Sequence, residues 1–280
     1  MFNVKEINGG LEISGLDRFS VNKIFDCGQC FRFNENNGIV EGVAYGRVIR
    51  LEQPEPSSVR IYGITKQEFD SLFCRYLALD CDYGAVDSDI IARLNNDDTI
   101  KKAIEYGSGI RIIRQDGWEA LCSFIISQNN NIPRIKKIIE NMSREFGRRI
   151  DDDHYAFPTA QALFEAGTDK IFELKTGFRA KYIYDAAEKV ATGKIDLSLI
   201  PQMTTDEALE YLMQIKGVGL KVASCALLFG FNKTDAFPVD VWVKRVLEKY
   251  YPDGLDLNNL GENAGMIQQY LFYYERYNQQ

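Results

Sequence analysis

The chain reads as an α+β protein, an N-terminal antiparallel sheet domain with helices followed by an all-helical part. Three observations predict this. Alternating β-rich runs are confined to residues 11–62, helix-period apolar stripes begin near residue 69, and only helical segments follow residue 109. The 280 residues suffice for two or three compact units, and the expected division is 1–108 and 109–280, with a cleft between the parts.

Leu11-Glu12-Ile13-Ser14 alternates. Runs over 38–44 and 47–52 flank Tyr45-Gly46 as a hairpin, and 58–62 is a further strand. Phe69, Leu72, Phe73, Tyr76 and Leu77 share one helical stripe, and short helices follow near 86–95 and 99–106. Residues 118–127 are apolar enough for a buried helix, which Asn129-Asn130-Asn131 interrupts because asparagine favours turns and caps. The next helix, 133–146, starts on a proline, whose missing N–H costs nothing in a first turn. Residues 180–192 form a helix closed by Gly193. Thr204-Thr205-Asp206-Glu207 is a capping box opening a helix that ends near Ile215, and 263–276 is the last helix.

Hydrophobic residues make up 45% and charged residues 26%, with no run of eighteen apolar residues to span a membrane. The first residues lack the pattern of a secretory signal, so six reduced cysteines in a cytoplasm, or a nucleus in a eukaryote, are the expectation. The net charge of −7 argues against a nucleic-acid partner until its distribution is read. Residues 61–100 carry net −5, whereas 101–150 carry +5 and 216–249 carry +3. A basic face on an acidic body fits these numbers, and so do ordinary solvated helix faces.

The informative stretch is Gln214-Ile215-Lys216-Gly217-Val218-Gly219-Leu220-Lys221. One helix runs into Gly-Val-Gly and another begins at once. The glycines let backbone amides approach an anion at the positive end of the new helix. A tight corner between two helices reads the same way. Nineteen residues past Lys221, Pro238-Val239-Asp240 starts another helix, where an aspartate also serves as an ordinary cap.

Together these segments resemble the helix-hairpin-helix DNA glycosylase superfamily. The resemblance implies that Gly217, Val218 and Gly219 grip the DNA backbone, that Asp240 stabilises positive charge on the deoxyribose, and that Lys221 attacks C1′ to form a Schiff base that promotes strand cleavage. The positive helix end disfavours a cation at Lys221, and burial there would favour the neutral, nucleophilic amine. Cys225, one turn on, would pack against the extruded base.

Four further segments resemble the 8-oxoguanine branch. Ser127-Gln128-Asn129-Asn130-Asn131-Ile132-Pro133-Arg134 matches its Asn-rich turn, and Thr176-Gly177-Phe178-Arg179 its intercalating segment. The resemblance implies that Phe178 wedges into the base stack and that Asn129, Arg134 and Arg179 read the orphaned cytosine. Cys27-Gly28-Gln29-Cys30-Phe31-Arg32-Phe33 resembles its Gly-Gln-X-Phe-Arg-aromatic element, and the Gly28 carbonyl would separate lesion from guanine by accepting the N7 proton that only the lesion carries. Gly265-Met266-Ile267-Gln268-Gln269-Tyr270-Leu271-Phe272 resembles its last helix, where Gln268 would pair with the base edge and Phe272 would stack opposite Cys225. Trp242 departs from the family, whose eukaryotic members usually place a phosphate-binding histidine there. The resemblance also implies a monovalent cation on the carbonyls of Met213, Ile215 and Val218.

Cys27 and Cys30 pair poorly in spacing with Cys74 and Cys81 for zinc, and His154 stands alone among aspartates on an expected solvated loop. No cysteine lies beyond Tyr250 for an iron–sulfur cluster. The expectation is therefore an enzyme without a required cofactor, a monomer acting on duplex DNA that carries an oxidised purine. A monofunctional alkylpurine glycosylase of the same fold and a non-catalytic DNA-binding protein are the alternatives, and Lys221 and Asp240 count against them.

Overall fold

The computed structural model describes residues 2–278. Among them β1 (Asn3–Ile7), β2 (Gly10–Ser14), β3 (Phe33–Asn36), β4 (Ile39–Ala44), β5 (Arg47–Glu55) and β6 (Ser58–Tyr62) form one antiparallel sheet in the order β1-β2-β6-β5-β4-β3. Its inner face follows from the alternation: Leu11 pairs with Ile61, and Ile61 with Leu51, so the three buried side chains stand in one row. The register shifts between Glu52 and Glu55, where Pro54 has no N–H to give the ladder. Strands β1 and β3 were not expected. Both are mostly exposed and polar, so pairing with β2 and β4 makes them strands, not a pattern of their own.

Helix α1 (Val21–Asp26) lays Ile24 and Phe25 on the sheet. The stripe expected to form one helix is instead α2 (Lys66–Glu68), a π-helical turn (Phe69–Phe73) and α3 (Cys74–Tyr76), yet Phe69, Phe73 and Leu77 all remain buried in the sheet's core. Then come α4 (Tyr83–Arg93), α5 (Asp98–Gly107), α6 (Gly117–Ser127), α7 (Ile132–Phe146), α8 (Ala160–Ile171), α9 (Ala180–Ala191), α10 (Thr205–Met213), α11 (Leu220–Phe231), α12 (Val241–Tyr250) and α13 (Ala264–Tyr277). Helix α8 escaped the sequence reading; Gly167, at φ +79, breaks its apolar period. A π-turn (Phe172–Thr176) and a 3₁₀ turn (Gly177–Arg179) join it to α9.

The helices enclose a second core in which α6 and α11 lie together, with Phe124 stacked on Phe229 at 5.4 Å. Residues Cys27 and Phe31 belong to this core although they precede β3, so the chain enters the helical body and returns to the sheet. Helix α13 comes back against α5, and its fully buried Tyr270 donates to Asp87 at 2.7 Å, a carboxylate that also takes Arg18. His154 is not solvated as expected. Its ring is partly covered, 2.8 Å from Asp151 and 3.5 Å from Glu41 on β4.

Glu119, in the first turn of α6, lies 3.9 Å from Arg32. Burial pushes its carboxyl from the ordinary 4.5 up to about 7, against the pull of that guanidinium. The folded state therefore holds a proton that the unfolded chain releases, so the stability gained is present at low pH and lost as pH rises through about 7. Urea unfolding between about pH 5 and about pH 8 is expected to show wild type losing stability relative to Glu119→Gln across that window. Parallel curves would contradict the assignment.

Candidate active site

Helix α10 meets α11 through residues 214–219. Gly217 has φ +77, and a Cβ there would overlap the ring of Tyr182, so the turn requires glycine. Gly219 is different. Its φ is −99, a Cβ would meet nothing within 4 Å, and as N-cap of α11 it offers no side chain to the first amides of that helix. The fold does not need glycine at 219, but an anion approaching those amides does. Val218 is buried between them and anchors the corner. Among the described residues the carbonyls of Met213 and Val218 accept no hydrogen bond, while that of Ile215 accepts from Val218 N–H at 3.0 Å and keeps one lone pair.

Lys221 stands in the first turn of α11. It is half-buried, not fully buried, and its Nζ lies 5.3 Å from the centre of the Phe124 ring. No carboxylate pairs with it among the described residues. Asp240 caps α12, its Oδ1 accepting from the N–H groups of Trp242 and Val243 at 2.9 Å each. Lys221 and Asp240 both line one cleft of about 860 Å³. Cys225, buried one turn after Lys221, senses both: burial pushes its thiol up, the Lys221 amine pulls it down and the Asp240 carboxylate pushes it up again.

The same cleft is bordered by Gly28 and Phe272. Gly28 has φ +76, and a Cβ would stand 3.3 Å from the Phe272 ring, so the local shape favours glycine here. Gln268 is buried outside this lining, and its Oε1 has no partner. A buried, unpaired amide oxygen is rare in a folded interior and suits an arriving hydrogen-bond donor.

The three asparagines divide the turn between α6 and α7. Asn130 donates to the Ile126 carbonyl at 3.1 Å, and Asn131 caps α7 by accepting from Arg134 N–H at 3.0 Å. Asn129, at φ +47, makes no side-chain hydrogen bond among the described residues and lines the cleft. Beneath it Arg179 is buried, donating to the carbonyls of Gln128 at 2.7 Å and Asn129 at 2.9 Å. Phe178 is 51% exposed, edge-on to Tyr182, and Arg134 is exposed beside it, with a 3.3 Å bond to the Lys175 carbonyl. Trp242 lines the cleft with the Arg245 guanidinium 4.7 Å from its ring. Sequence reasoning missed Phe124, which lies under Lys221, and Arg276, which borders the cleft over Phe272 at 5.6 Å; nothing local marks either contact. Among the described residues no cluster of three His, Cys, Asp or Glu side chains is placed to hold a metal.

A helix-hairpin-helix followed by a capped helix, opening on a cleft that holds a lysine and an aspartate, defines the architecture of a base-excision DNA repair protein. Residues 13–121 match the family described as 8-oxoguanine DNA glycosylase, N-terminal domain, and residues 122–255 match the HhH-GPD superfamily base excision DNA repair protein. The chain superposes on MBOgg1, solved with a low-affinity DNA ligand, at TM-score 0.94 and 39% identity over all of both chains. It also superposes on the Clostridium acetobutylicum 8-oxoguanine glycosylase/lyase, solved with duplex DNA containing cytosine opposite 8-oxoguanine, at TM-score 0.90 and 38% identity over 99% of this chain and 98% of that one. The N-glycosylase/DNA lyase of Saccharomyces cerevisiae is 36% identical over 55% of this chain, a stretch spanning 45% of the yeast protein's length. The chain belongs to the HhH-GPD superfamily, on its 8-oxoguanine DNA glycosylase branch.

Because the fold is indifferent to a methyl at 219, Gly219→Ala is expected to melt with the wild type. Its affinity for duplex DNA should fall about tenfold, the loss of one hydrogen bond to a charged group. Unchanged affinity in a fluorescence anisotropy titration would remove the hairpin from the DNA interface.

Proposed function

We propose that the protein is a bifunctional DNA glycosylase and abasic-site lyase that removes 8-oxoguanine, opposite cytosine, from duplex DNA. The observation that carries this reading is the Lys221 amine at the start of α11, with no carboxylate partner among the described residues, sharing a cleft with the Asp240 carboxylate. In this reading the Lys221 nitrogen bonds to C1′ of the deoxyribose, the N-glycosidic bond breaks, and the base leaves with the electron pair and takes up a proton. Asp240 stabilises the positive charge that develops on the sugar, its orientation fixed by the two amides of α12 that it caps. The attached nitrogen loses one proton, its lone pair then expels O4′ as the C1′–O4′ bond breaks and O4′ takes up a proton, and the resulting iminium makes the C2′ proton acidic and allows elimination of the 3′ phosphate.

The extruded base lies between Cys225 and Phe272, its edge toward Gln268 and the Gly28 carbonyl. Phe178 fills the opened step, and Asn129, Arg134 and Arg179 face the cytosine. Arg179 reaches that base only with donors not held by the turn carbonyls, which makes it as much a support for Asn129 as a reader. Phosphate is gripped by the amides around Gly217, Val218 and Gly219, with Trp242 backed by Arg245. The carbonyls of Met213, Ile215 and Val218 fit a monovalent cation, which would draw the phosphate toward the corner.

Lys221→Gln is expected to abolish base release while duplex binding persists, since the hairpin is untouched. Asp240→Asn is expected to lower the single-turnover rate far more than affinity. Normal turnover by the first variant, or an affinity loss alone in the second, would overturn the respective role. Free 8-oxoguanine without any strand cleavage by the wild type would favour the monofunctional alternative.

A further inference from the structure

Three consecutive carbonyls at residues 27–29 have unequal surroundings. That of Cys27 accepts a 2.7 Å bond from the side-chain amide of Gln269, which is 1% exposed in α13. That of Gln29 accepts a 2.7 Å bond from the side-chain amide of Gln115. Between them the Gly28 carbonyl accepts no hydrogen bond among the described residues, and Gly28 borders the cleft.

Gly28 is half-buried on the wall of the cleft, so a carbonyl without a protein partner between two clamped neighbours is available to a group that enters there. A glycine at positive φ is also the residue whose flanking peptides swing most easily. Fixing the peptide on each side fixes the one between. An apolar side chain of Gln269's volume would fill the same space beside Tyr270 and Leu271 without the cost of burying an amide. The amide therefore contributes something that packing alone does not, and its partner among the described residues is the peptide that enters Gly28. Gln269 also adjoins Gln268, so one turn of α13 carries both the residue facing the base and the residue aiming the carbonyl opposite.

We propose that Gln269 is a specificity-positioning residue, which by tying the Cys27 carbonyl to α13 aims the Gly28 carbonyl at the N7 edge of an extruded purine. The inference rests on the role given to Gly28 above. An aimed acceptor gains a bond from the N7 proton of 8-oxoguanine and meets a lone pair in any purine that keeps N7 unprotonated. Released from its clamp, the carbonyl reads that difference less sharply.

Gln269→Met keeps the volume and removes the donor. Three single-turnover rates test it: excision of 8-oxoguanine, excision of 8-bromoguanine, which adds bulk at C8 but leaves N7 an acceptor, and strand cleavage at a preformed abasic site. Wild type is expected to prefer 8-oxoguanine. In the variant 8-oxoguanine excision should fall about tenfold, the loss of one well-aimed hydrogen bond, while the other two rates hold. An unchanged preference in the variant would overturn the role of Gln269 and leave that of Gly28 standing. Equal excision of both bases by wild type would overturn the reading of Gly28 itself. A parallel fall in all three rates would make Gln269 a packing residue only, which also contradicts the proposal.

Discussion

Two irregular stretches cross between the sheet body and the helical body, residues 27–32 and 110–116, and the side chain of Gln29 pairs them. Its amide nitrogen donates to the carbonyls of Ile24 at 2.9 Å and Arg111 at 2.8 Å, and its oxygen accepts from Ile113 N–H at 2.9 Å. The side chain thus substitutes for a short β-ladder where the chain has no strand. Arg111 extends the seam by donating to the carbonyls of Asp17, Ala78 and Cys81, with the Tyr83 ring 4.5 Å from its guanidinium. Losing a buried partner here leaves several main-chain groups unpaired, each costing roughly 1–3 kcal/mol. One end of this seam presents Gly28. The other runs straight into α6, which carries Phe124 and the asparagine turn. The position of the cleft therefore follows from the pairing of the two bodies.

On that frame the electrostatics are local. The net charge is −7, yet two helices, α11 and α12, begin at the cleft and turn their positive ends toward it. At α12 Asp240 answers this field itself; at α11 no side chain does, which leaves the amides free beside Lys221. The open start of α11 gives an acidic chain a local site for an anion that its net charge does not.

Features fixed by neighbours in sequence were legible before any coordinates. The helix-turn-helix corner, the Asp240 start, the capping box at Thr204 and the triple asparagine are local, and the chemistry of each residue type dictates its geometry. What was not legible depends on distant partners. Strands β1 and β3 exist because β2 and β4 pair with them, and the π-turn at 69–73 forms because two phenylalanines seek one core. Phe124 lies under Lys221 through packing of α6 on α11, and Gln269 meets Cys27 across 242 residues of chain. Arg179 was legible as a residue of the intercalating segment, but its burial under the asparagine turn was not.

The central claim is that the Lys221 nitrogen becomes covalently joined to the sugar of the lesion nucleotide. Borohydride reduction during turnover on an 8-oxoguanine duplex, followed by peptide mass mapping, tests it most directly. The account predicts one protein–DNA adduct, carried on Lys221 and absent when that residue is glutamine. An adduct on another lysine, or efficient base release with no adduct at all, would contradict it.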